Sequence, residues 1–144
     1  MRSLQRLSAS QRSLLSLAVL GSAATLLTGC GGAPAGPTRY TVSGTVTYDK
    51  QPVPKGFITF SPDDTAGNKG PGGGAQIING KFKTDIGKGV VGGPYTIQIV
   101  GYDGVPAKVE GEELKDGKPL FSTYMTTLTL PKGDSTQNFD IPKP

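Results

Sequence analysis

A chain of 144 residues with 35% hydrophobic content supplies one small domain with a real core rather than several. Its formal charge is +4, with no histidine and a single cysteine. That inventory removes the usual nucleophile–base pairs, the zinc and haem ligand sets, and any disulfide within the chain.

The first 29 residues divide into three parts. Arg2, Arg6 and Arg12 form a basic start without an acidic residue. Leu14 to Leu27 is predominantly apolar but interrupted by Ser16, Gly21, Ser22 and Thr25. A permanent membrane helix needs about 20 predominantly apolar residues, and this run is shorter. Positive, apolar and small, in that order, is the anatomy of a secretory signal peptide. The run ends in Leu27-Thr28-Gly29-Cys30, which resembles the lipobox of bacterial lipoproteins. The resemblance implies cleavage before Cys30, a diacylglyceryl group on its thiol, and usually acylation of the new amino terminus. Each acyl CH₂ buried contributes about 0.8 kcal/mol, and two or more chains make attachment stable. Cys30 is therefore expected to be the lipidated residue and the membrane the first partner. Gly31 stands where an Asp commonly retains such proteins at the inner membrane, so the resemblance favours the outer membrane. The expected location is the cell envelope, facing the periplasm or the exterior.

Loss of residues 1–29 takes three arginines with it and leaves 12 basic residues against 11 acidic ones. The lysines are scattered, so no nucleic-acid footprint is expected. Residues 30–39, rich in Gly, Ala and Pro, read as a tether that extends to about 30 Å at most.

From residue 40 to 144 the chain is written in strands. Tyr40, Val42, Val46 and Tyr48 fall on one face of a run whose other face is Thr and Ser. Pro52 and Pro54 break this run, and Phe57 to Phe60 resumes it. Ala75–Ile78 and Lys81–Thr84 flank Asn79-Gly80, the strongest short hairpin signal. Tyr95, Ile97 and Ile99 alternate with Thr96 and Gln98. Leu128 and Leu130 alternate with threonines, and Phe139 and Ile141 form a last strand. Seven short strands without a helical period predict an all-β domain, a β-sandwich.

The order of motifs resembles carboxypeptidase-regulatory-like domains, which have a transthyretin-like fold. Val42-x-Gly44-x-Val46, Pro52-Val53-Pro54 and Gly56-x-Ile58-x-Phe60 match their opening. Gly80-Lys81-Phe82 and Gly92-Gly93-Pro94-Tyr95-Thr96-Ile97 match their middle, and Leu128-Thr129-Leu130 with Asn138-Phe139-Asp140-Ile141 their close. The resemblance implies a single seven-stranded, prealbumin-like sandwich over residues 40–144. It imports no peptidase site, since the chain has no histidine to receive a metal. One departure is Lys50 after Asp49, where the family usually has Gly; a positive φ there would cost about 1 kcal/mol.

Other patterns carry less. Gly87 to Gly92 matches G-x-G-x-x-G, but Pro94 and a strand follow where a phosphate-binding helix is needed, so a turn is expected. Asp63, Asp64 and Asn68, and separately Glu110, Glu112, Glu113 and Asp116, offer oxygens without a complete calcium-ligand series and read as solvated turns. No metal or cofactor is expected. Tyr102, Phe121 and Tyr124 lie outside the clear strands; they are candidates for stacking on sugars or anchoring a protein, or for packing over a sheet edge. The chain is expected to be a non-catalytic structural or protein-interaction module of the envelope. The alternatives are a carbohydrate-binding module and a hydrolase using two carboxylates across a cleft.

Overall fold

The computed structural model describes residues 36–144. Leu27, Thr28, Gly29 and Cys30, with the expected signal peptide and most of the tether, lie outside the described residues. Gly36–Pro144 forms one compact unit, and among the described residues the core runs from Val42 to Ile141. This segment carries its own core.

The described chain is all-β, with ten strands: β1 (Val42–Tyr48), β2 (Gln51–Pro52), β3 (Lys55–Pro62), β4 (Gly73–Ile78), β5 (Lys81–Lys83), β6 (Gly93–Tyr102), β7 (Ala107–Val109), β8 (Glu112–Leu114), β9 (Tyr124–Leu130) and β10 (Ser135–Ile141). Seven of them overlap the seven expected from alternation. The additional β2, β7 and β8 have two or three residues each and no buried residue to mark a core face.

The main sheet runs β10-β1-β5-β4-β3-β6-β9, with β2 beside β1, while β7 and β8 form a separate ribbon. All pairs are antiparallel except β1 with β10, which are parallel over Val42–Tyr48 and Ser135–Ile141. One face of this continuous sheet supplies the core: Val42 and Val46 from β1, Ile58 and Phe60 from β3, Tyr95, Ile97 and Ile99 from β6, and Phe139 and Ile141 from β10. The sheet curls so that this face becomes both walls of the core. Phe60 and Phe82 stand on strands separated by β4, and Phe82 and Phe139 on strands separated by β1. Two strand spacings on a flat sheet are about 9.6 Å, yet these ring centroids lie 6.2 and 6.1 Å apart. Curling brings the rings together in tilted contacts.

Three buried polar side chains, Tyr95, Thr84 and Asn68, are partnered. Tyr95 is fully buried, and its hydroxyl donates to Pro71 O and accepts from Val91 N, each at 3.2 Å. Thr84 accepts the Val42 N–H at 3.1 Å through its hydroxyl. Asn68 donates to Pro94 O at 2.8 Å and accepts from Gly70 N, holding the 63–72 loop against the start of β6.

Three two-residue turns have φ > 0 at both positions: Asp49-Lys50, Asn79-Gly80 and Glu110-Gly111. This is the twist a tight hairpin requires. Asn79-Gly80 joins β4 to β5 as expected, and its backbone is bonded to Val46, Val53 and Pro54, which pins the corner of the curl. The Gly87–Gly92 segment is a turn leading through Val90, bridged to Tyr40, into β6. Lys50 occupies the left-handed region at φ 63°, so its Cβ is strained. Replacing Lys50 by Gly should raise unfolding stability by about 1 kcal/mol. A urea titration checks this, with an unchanged or lower midpoint as the contrary result.

Candidate functional site

Alternation leaves the outer face of the sheet to the residues that do not point inward. Two pairs of neighbouring apolar residues, Phe57-Ile58 and Ile77-Ile78, cannot both face the core at a period of two. Ile58 and Ile77 are the buried members; Phe57 is 44% and Ile78 58% exposed. Phe57 lies opposite Gln76 across β3 and β4, and Ile78 lies opposite Lys81 across the Asn79-Gly80 turn. The result is an apolar ridge on the outer face, flanked by a carboxamide and lysines.

Two grooves flank this ridge and share Phe57, Gln76 and Ile78. The larger, about 990 Å³, runs across β1, β5 and β4 and is lined by Thr45, Lys81, Lys83, Lys88 and Asn138. Lys88 pairs with Asp85 at 3.4 Å, both exposed, a contact of little energetic weight. Lys81 and Lys83 have no carboxylate partner among the described residues, so this groove is locally cationic. Asn138 is committed to the fold, since its side-chain oxygen accepts from Thr45 N at 3.0 Å and from the Thr45 hydroxyl at 2.9 Å. The smaller groove, about 550 Å³, is bordered by Tyr102, Asp103 and the exposed Lys55–Asp116 ion pair at 3.3 Å.

The three aromatic candidates do not form one surface. Tyr102 borders the smaller groove on the outer face. Phe121 and Tyr124 are half-buried against the core. Phe121 stacks obliquely on Tyr48 at 5.1 Å and covers Gly101, where a Cβ would press into its ring and into Val53. The 101–126 connection folds back on itself. Asp103 accepts the N–H groups of Val105 and Lys118, each at 3.0 Å, closing the base of the β7–β8 ribbon. The sequence reading missed Phe57 and Ile78, although the paired apolar residues at 57–58 and 77–78 are a usable signal for one outward side chain in each.

The acidic residues do not assemble into a cation site: no group of three or more acidic or thiol side chains suited to a metal occurs among the described residues. Asn68 is buried and hydrogen-bonded inward, as above, rather than solvated as expected. Asp63 instead accepts from the Thr65 hydroxyl at 2.6 Å and from Ala66 N at 3.1 Å. These bonds, the Thr65 one foremost, favour the carboxylate and hold its pKa below the ordinary 3.8.

No protein-family model matches the chain, and neither the curated proteins nor the solved structures include a significant match.

Because the folded-state pKa of Asp63 is depressed, its stabilisation is complete above the ordinary carboxylate value and is lost as pH falls through the lower folded one. Asp63→Ala should therefore melt below the parent at pH 7, and the gap should narrow steadily below about pH 3.8. A gap that stays constant into acid would exclude the ionised carboxylate as its source.

Proposed function

We propose that this chain is a bacterial envelope lipoprotein whose domain is a non-catalytic interaction module. Residues 1–29 direct export and are removed, Cys30 carries the acyl chains, and residues 30–39 tether a carboxypeptidase-regulatory-like, transthyretin-like domain to the membrane, with the outer membrane favoured. The observation that carries the reading is Leu27-Thr28-Gly29-Cys30 at the close of a basic-then-apolar leader, with Cys30 the only thiol in the chain. A cysteine with no partner for a disulfide needs another role, and the thioether supplies one. The working surface is the outer-face ridge of Phe57 and Ile78 beside Lys81 and Lys83, which fits an acidic, partly apolar protein segment.

A carbohydrate is the second reading. It is favoured by one observation, the exposed Phe57 ring beside the Gln76 carboxamide on an open sheet face, where a sugar ring could stack and hydrogen-bond.

Two measurements test these readings. In the native host, Cys30→Ala should abolish incorporation of labelled palmitate and leave uncleaved precursor or released protein. A cleaved, unlabelled product that still sediments with membranes would defeat the anchor. A photo-crosslinking residue at position 57 should trap one discrete protein adduct in cells. If instead a glycan array shows sugar binding that drops about tenfold in Phe57→Ala, the carbohydrate reading replaces the protein one.

A further inference from the structure

β9 ends the sheet path. One side of it pairs with β6 along its whole length, Tyr124 to Leu130. The other side has no backbone partner among the described residues. Free strand edges recruit other strands, and proteins usually blunt them with charge, proline or brevity. The other free edges here are blunted in that way. β10 carries Asp140 and follows Asp134, β2 contains Pro52, and the three-residue β7 and β8 bear Lys108, Glu112 and Glu113. β9 alone is bare. Tyr124-Met125-Thr126-Thr127-Leu128-Thr129-Leu130 has no charge, proline or glycine, and it is rich in residues that favour strands.

We propose that β9 pairs antiparallel with β9 of a second copy of this chain, about a two-fold axis through Thr127. In that register Tyr124 lies opposite Leu130 of the partner subunit, Met125 opposite Thr129 of the partner subunit, and Thr126 opposite Leu128 of the partner subunit. Thr127 meets its own copy. The alternation matches on both sides of the axis, so inner-face residues meet inner-face residues. Self-pairing brings the like charges of a charged strand together, which such a strand resists and an uncharged one permits. A second observation points to the same occupant. Tyr124 and Leu128 are the half-buried apolar residues of β9 that pack on the core, so the core is incompletely covered along this edge. A second β9 would lay Leu130 of the partner subunit beside Tyr124 and Thr126 of the partner subunit beside Leu128, extending the inner face past this edge in an isologous contact that closes at two copies. The proposal is independent of acylation at Cys30.

The test uses residues 36–144, one compact unit with a core of its own, and measures mass by light scattering up to about 100 µM. The expected mass is that of a dimer. Thr127→Lys sets two ammonium groups against each other across the axis and should weaken association at least about tenfold. Gln98→Lys adds the same charge to the same outer face one strand inward and should leave the dimer intact. An equimolar mixture of Thr127→Lys and Thr127→Glu should recover the dimer mass, which separates loss of pairing from loss of folding. A parent that stays monomeric, an open-ended assembly, a Thr127→Lys dimer as tight as the parent's, or a mixture that fails to re-associate overturns the proposal.

Discussion

The fold depends on the meeting of its first and last strands. β1 and β10 lie side by side and parallel, an arrangement no short turn can make; the rest of the domain is the connection between them. Their contact is close. Gly44 faces Gln137 in the register, and a Cβ at Gly44 would overlap the Gln137 carbonyl. Side chains lace the seam from both ends: Asp134 accepts Thr41 N at 2.7 Å, Asn138 accepts Thr45 N, and Asp140 accepts the Thr47 hydroxyl at 2.7 Å. With β10 held there, Phe139 and Ile141 complete the core that Val42 and Val46 begin.

That closure determines what the rest of the surface can do. A sheet that curls over one face spends its alternating apolar residues on a single core and leaves its other face open to solvent. The open face collects the residues that alternation sends outward, including Phe57 and Ile78, which have no inward place to go. It also leaves two sheet ends instead of a closed ring. One end, β10, is protected by carboxylates, and the other, β9, is not. The interaction ridge and the bare edge therefore follow from the same topology, on different parts of the sheet.

Legibility in the sequence tracked the range of the interactions involved. The seven expected strands were readable because each alternates core residues with outward ones, and Asn79-Gly80 announced its turn through residues that tolerate φ > 0. Asp49-Lys50 and Glu110-Gly111 adopt the same backbone with less permissive residues, because the strands on either side impose it. Among the aromatic candidates, Tyr102 and Phe121 could not be told apart by composition. Their placement on opposite sides of the sheet depends on strand parity through β6 and on Gly101 leaving room for a ring. Asn68 read as part of a solvated turn; the approach of Pro94 of β6 and of Gly70 gives it hydrogen bonds and buries it instead.

From the sequence alone came the all-β character, the strand segments, the strongest turn, and the expectation of a signal, a lipid-bearing cysteine and a tether. The strand signals are local, carried by side-chain alternation over a few residues. Only the tertiary structure decided which strands are neighbours, that β1 and β10 run parallel, that the sheet closes on one face, and which member of each apolar pair is left outside. Those outcomes rest on contacts between residues as far apart as Thr45 and Asn138, and a local period carries no information about its distant partner.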